Sequence, residues 1–210
     1  MAKLFNMTAF SGSIGEIVGC KGPFGFYIRR KPRKSKKQPT QRQLEWREKM
    51  AMAAGFLAPL KEIVYLGFAT SYGSHTKTIA MNRAVSMLIQ HALEGEYPNF
   101  YINPAAVVLS RGALSRLRDL QVGFINRKLR IQWSALLPTF NGFADDRVYI
   151  LAYNTTERTV VVEMIERRAG VMEVDLRTES AGSELLVYVC VSTYDGKKFS
   201  NSQYLGRFEV

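Results

Sequence analysis

Residues 26–68 read FYIRRKPRKSKKQPTQRQLEWREKMAMAAGFLAPLKEIVYLGF, and three chemistries follow one another within them. Phe26, Tyr27 and Ile28 end a short aromatic piece of strand-forming composition. Seven of the nine residues 29–37 are Lys or Arg, and Pro32 keeps this run out of a helix, because its ring fixes φ and removes a donor. Thr40-Gln41-Arg42-Gln43 then has the capping-box arrangement, in which the Thr hydroxyl accepts from the third helical amide and the Gln reaches back. Beyond it Trp46, Met50, Ala53, Leu57, Leu60 and Val64 step by fours and threes, which predicts a helix burying one side. Pro59 should kink or split that helix, with Ala58 at the boundary. The stretch describes a basic arm hinged to a packed scaffold.

Composition sets the class. Of 210 residues, 47% are apolar and 22% charged, which is ordinary for a folded chain of one domain or two small ones. The net charge of +11 is unevenly spread: residues 1–98 carry 15 cations against 6 carboxylates, residues 99–210 carry 14 against 12. A positive field gathered around one arm points to a polyanionic partner, nucleic acid first and an anionic membrane surface second. Cys20 and Cys190 are too few for a disulfide framework and suit a reducing compartment. The N-terminal residues lack the apolar block of a signal peptide, and the apolar stretch 50–68 is broken by Pro59, Lys61 and Glu62. The expectation is a soluble, cytoplasmic protein without a transmembrane segment, in which the sequon at Asn154 has no meaning.

Working toward the N-terminus, glycines at 12, 15, 19, 22 and 25 punctuate short apolar pieces, as in a hairpin of strands 16–20 and 24–28 turning at Lys21-Gly22-Pro23. Neither a G-x-G-x-x-G run nor a terminal Gly-Lys-Ser/Thr is present, so these glycines read as turns rather than a phosphate loop. The arm, residues 29–39, should be extended and solvated, since its like charges repel. Its cations Arg29, Arg30, Lys31, Arg33, Lys34, Lys36 and Lys37 are the candidate nucleic-acid-binding residues, each able to neutralise a phosphate and release counterions. The bland alternatives are a soluble loop, or an arm laid on the acidic surface of a neighbouring subunit. Phe24, Phe26 and Tyr27 offer stacking faces for bases, or are simply core.

Working toward the C-terminus, residues 76–93 predict a second helix with Ala80, Ala84, Met87, Leu88 and His91 inward. His91 reads as a partly buried imidazole with a satisfied partner; only His75 could join it at a metal. Residues 99–109 read as a strand interrupted by Pro104. Seven strand-like runs follow, at 121–125, 129–134, 147–153, 159–165, 171–176, 185–193 and 203–210. Turn residues separate them, which indicates a β-sandwich. Trp133, Tyr188 and Cys190 stand where fibronectin type III-like domains place inner aromatic and apolar side chains. The predicted architecture is α+β, with a basic helix-plus-sheet module over residues 1–112 and a fibronectin type III-like sandwich over residues 113–210.

Chemistry is sparse. Two histidines leave few ways to assemble a nucleophile with a base, and neither has a nucleophile motif beside it. Asp145-Asp146 falls in a turn, and Glu163 with Glu166 lies beside Arg167 and Arg168, where neutralised surface charge suffices as an explanation. The expectation is a non-enzymatic protein with no catalytic residue, cofactor, metal or small-molecule substrate.

Several separated segments carry a resemblance. FSGSIGEIVG, YIRRKP, the stretch KSKKQPTQRQLEWREKMAMAAGFLAPLKEIVYLGF, EGEYPNFYIN, VVLSRG and the terminal DGKKFSNSQYLGRFEV together resemble uncharacterised bacterial proteins catalogued as domain of unknown function 6266. That resemblance runs nearly end to end and implies no activity, catalytic residue or ligand. The N-terminal pattern is also similar to small proteins of phage and mobile-element clusters. Two expectations follow: sequence-nonspecific binding of nucleic acid through the arm, or a structural role in a homo-oligomer or particle in which the arm grips a neighbour.

Overall fold

The computed structural model describes residues 3–6, 9–22, 25–33, 37–69, 77–136 and 141–210. It divides into two compact units, residues 1–40 and residues 41–210. The division falls at Thr40, the capping residue read from the sequence, and not at the predicted boundary after residue 112.

The first unit is a four-stranded antiparallel meander, in the order β1 (Lys3–Asn6), β2 (Ala9–Ile14), β3 (Ile17–Gly22) and β4 (Gly25–Arg30). The expected hairpin is therefore half of a sheet. Its tightest point is Gly19, paired with Gly12, where an added Cβ would lie 2.2 Å from the carbonyl oxygen of Phe10. Only glycine fits there.

The second unit begins with α1 (Gln41–Leu57), starting one residue past Thr40 as the capping signature predicts. α2 (Lys61–Ala69) follows after a break at Pro59 that turns the chain by 95°. No single helix among the described residues is long and apolar enough to cross a membrane. α3 (Lys77–His91) packs against both helices and buries Ala80, Ala84, Val85 and Leu88. Two expectations for this region are corrected. His91 is exposed on the last turn rather than partly buried. The strand predicted over 99–109 is instead a short hairpin of β5 (Leu93–Glu96) and β6 (Asn99–Ile102), ended by a 3₁₀ turn at Pro104–Ala106. Pro104 supplies no backbone donor to continue a ladder, and the Asn103 side chain caps the turn by accepting from the Ala105 amide.

All seven later strands form where the alternation places them: β7 (Gln121–Ile125), β8 (Lys128–Gln132), β9 (Arg147–Asn154), β10 (Thr159–Glu166), β11 (Val171–Asp175), β12 (Glu184–Ser192) and β13 (Gln203–Glu209). They make a three-stranded sheet, β11-β8-β7, facing a four-stranded sheet, β10-β9-β12-β13. Leu129, Ile131 and Val174 of the first meet Val148, Ile150, Val187 and Val189 of the second in one core. The opposite side of β9 and β12, carrying Leu151, Tyr153, Leu186, Tyr188 and Cys190, forms a second core with Leu57, Val64, Ala84 and Leu88 of the helices. Phe56 of α1 meets Tyr153 edge to face, ring centroids 5.2 Å apart. The helices thus form a third layer on the sandwich, and the predicted N-terminal helix module is not supported. The chain is mixed α and β, mostly β, and the named strands of the described residues all pair antiparallel.

Candidate polyanion-binding surface

The first unit holds the chain's densest charge: residues 1–40 contain nine Lys or Arg and one carboxylate, Glu16. β4 pairs with β3 so that Tyr27 lies opposite Cys20 and Arg29 opposite Val18 on one face. On the other face Phe26 lies opposite Lys21, Ile28 opposite Gly19 and Arg30 opposite Ile17. Each face therefore presents an aromatic ring followed two residues later by an aliphatic residue or a cation. Every residue of β4 is exposed, Tyr27 by 53% and Ile28 by 56%.

This corrects the expected start of the arm. Arg29 and Arg30 belong to the β ladder rather than to a solvated tether, because their alternation continues that of Phe26-Tyr27-Ile28. The ladder extends to the Lys31 amide, which donates to the Glu16 carbonyl at 2.7 Å. Arg30 Nη2 lies 3.1 Å from Glu16 Oε2 with both side chains largely in solvent, a pairing of the kind worth about 0–1 kcal/mol. The Lys21 ammonium sits 5.9 Å from the Phe26 ring centroid. Beyond the ladder Lys31, Pro32 and Arg33 are exposed and line a shallow groove with Gly15, Glu16 and Arg30. Lys37 is exposed where the description resumes; Lys34 and Lys36 lie outside the described residues, as does the stacking candidate Phe24.

Elsewhere, Asp146 and Asp195 have structural partners. A groove at one end of the sandwich contains Phe143, Asp145, Asp146, Tyr194 and Asp195. Asp195 accepts from the Thr193 hydroxyl at 2.6 Å and from the Lys197 amide at 3.1 Å, which holds its carboxyl down at about 2. Asp146 accepts from the Phe143 amide at 2.8 Å and faces Arg167 at 3.6 Å, both side chains being almost wholly buried. The turn expected at Asp145-Asp146 is present, with Asp146 buried at its end, and one expectation is corrected: Arg167 is not neutralised surface charge. Arg168, its neighbour, does pair at the surface with Glu166, at 2.6 Å. Among the described residues no group of three His, Cys, Asp or Glu side chains could hold a metal ion.

No curated protein matches the sequence. Among solved structures, the crystal structure of the chicken interferon gamma receptor alpha chain aligns with 53% of this chain and 56% of its own, at 10% identity and a TM-score of 0.36. The match spans little over half of that receptor chain. A family model described as a family of unknown function, DUF6266, matches residues 9–206.

Proposed function

This chain belongs to the DUF6266 family, and we propose that its role is sequence-nonspecific binding of a nucleic acid or similar polyanion. The observation that carries this reading is the surface of β4 and the residues after it. There Arg29, Lys31 and Arg33 are exposed beside Phe26 and Tyr27, in a unit with a single carboxylate. Cations give sequence-independent attachment to phosphates, and an exposed ring beside them gives any base a face to stack on. The sequence carries no recognisable base-reading helix motif, so backbone contact is the mode that suits these residues. The second unit is read as a fibronectin type III-like scaffold, on the order of its two sheets and the inward Trp133; Tyr188 and Cys190, expected inside the sandwich, face the helices instead. The protein is read as non-enzymatic and cytoplasmic.

A second reading, an assembly protein whose arm grips a neighbouring subunit, is favoured by exposed apolar residues: Trp46 and Met50 of α1 are each 49% exposed. One pair of measurements separates the two. Replacing Lys31, Arg33, Lys34, Lys36 and Lys37 with Gln should weaken binding of a labelled 20-nucleotide single strand at least tenfold and leave the mass by light scattering unchanged. Loss of a large assembly in that variant, with nucleic-acid binding absent from the parent chain, would select the second reading.

A further inference from the structure

The outer edge of β4 has a specific geometry. The Lys31 amide bonds to the Glu16 carbonyl, and in an antiparallel pair such bonded positions alternate. Odd-numbered residues of β4 therefore turn their backbone N–H and C=O toward β3, while those of Ile28 and Arg30 turn away from it. Among the described residues no strand pairs with that edge, since β4 ends the sheet order. An open edge with apolar side chains is a template for another strand.

We propose that β4 pairs antiparallel with β4 of a second copy across a two-fold axis at Ile28, making a continuous eight-stranded sheet. Outward-facing groups must meet outward-facing groups, so residue numbers facing each other across the seam sum to an even number. Centring the axis on Ile28 sets Ile28 opposite Ile28 and Tyr27 opposite Arg29 of the other copy, with Arg30 opposite Phe26. Each arginine then faces an aromatic ring instead of a second arginine, and the aliphatic side chains meet at the axis. Moving the axis by one residue toward the arm sets Arg29 against Arg29, which like-charge repulsion disfavours. The pattern aromatic-aromatic-Ile-Arg-Arg is thus complementary to its own reversal, as an isologous contact requires.

The energetics point the same way. Among described side chains of residues 10–40 the only fully buried residue is Gly19. The described side chains of this sheet thus bury little apolar surface within their own unit, and a second sheet paired at the edge would add to it. In the paired form the two arms leave from opposite ends of the seam, doubling the cation surface. The pairing itself is independent of what the arms bind.

The test is cysteine cross-linking of the full-length, nuclease-treated protein in a Cys20→Ser background. Directly opposed residues in an antiparallel pair have Cα atoms roughly 4.5–5.5 Å apart, within disulfide reach. Ile28→Cys should therefore oxidise to a covalent dimer in at least half of the chains, at twice 23.8 kDa on a non-reducing gel. Phe26→Cys, displaced by four residues or about 13 Å from its copy, should cross-link at least fivefold less. Light scattering should give a dimer for the parent chain and a monomer for Ile28→Pro. Absence of cross-linking at Ile28→Cys, equal cross-linking at both positions, or a monomeric parent at every concentration would overturn the pairing.

Discussion

Arg167 is among the most buried side chains in the protein, 2% exposed, and it ties three segments together. Its guanidinium donates to the carbonyls of Ser115 and Arg116, its own carbonyl accepts from the Trp133 indole at 2.7 Å, and it lies against Asp146. Burial raises the Asp146 carboxyl, while the Phe143 amide and Arg167 pull the other way. Removing the cation leaves a carboxylate buried alone, so Arg167→Met should cost about 3–5 kcal/mol at neutral pH. An acid whose folded pKa is raised contributes stability that is complete below the unfolded pKa and is lost as pH rises through the folded one. The deficit of Arg167→Met against the parent, measured from urea midpoints, should therefore shrink from pH 7 toward about pH 4. A deficit independent of pH would contradict this account of the pair. The contact was readable only at second hand: the β9–β10 register sets Arg147 opposite Glu166, which brings the residues just beyond, 146 and 167, together. Cysteines give a second prediction at this scale. Burial pushes the Cys190 thiol up to about 12, whereas Cys20 is only half-buried. Iodoacetamide at pH 8 should label Cys20 alone in the folded protein and both thiols in denaturant; labelling of native Cys190 would contradict its placement in the core.

At the scale of elements, α1 divides in function along its length. The sequence predicts one apolar stripe from Trp46 to Val64, yet only Ala53, Leu57, Leu60 and Val64 are buried. The later turns of the helix reach the sheet, Phe56 meeting Tyr153, whereas the first turns leave Trp46 and Met50 half-exposed. There Lys49 bonds to Glu45 at 2.7 Å and lies over the rings of Trp46 and Phe100, at 5.4 and 4.8 Å. Leu57→Ala should cost about 2–5 kcal/mol by cavity formation. Trp46→Ala should cost roughly 1 kcal/mol or less, the cation–π contribution at an exposed site. Equal losses in thermal or urea unfolding would mean the whole stripe is core. Periodicity cannot make this distinction, because it reports which residues share a face and not how far the partner extends. The seven sandwich strands were legible for the opposite reason: each alternates or carries a turn at its end, as at Asn126 and Arg127, both with positive φ. The helical layer on the sandwich also left a signal. β9 and β12, RVYILAYN and ELLVYVCVS, are nearly continuous apolar runs, the composition of strands covered on both sides.

The chain divides into a small cation-rich sheet unit and a large unit that contains both hydrophobic cores found among the described residues. The charge asymmetry was plain in the sequence, but the boundary was not, because the helices read as neighbours of the arm when their partners are on β9 and β12, far along the chain. A fragment of residues 41–210 should therefore unfold cooperatively in urea, with a midpoint within about 0.5 M of the full chain; a fragment without a cooperative transition would mean that the first unit completes a core. The arm's attachment to phosphates would show most directly in its response to salt. If seven cations neutralise phosphates, log K against log salt should fall with a slope near −6 on duplex DNA, a loss on the order of 10³-fold or more between 50 and 200 mM. Fluorescence anisotropy of a labelled 20-base-pair duplex titrated with nuclease-treated protein reads that slope. A steep fall is the result predicted, and binding that is absent or unmoved by salt would contradict it.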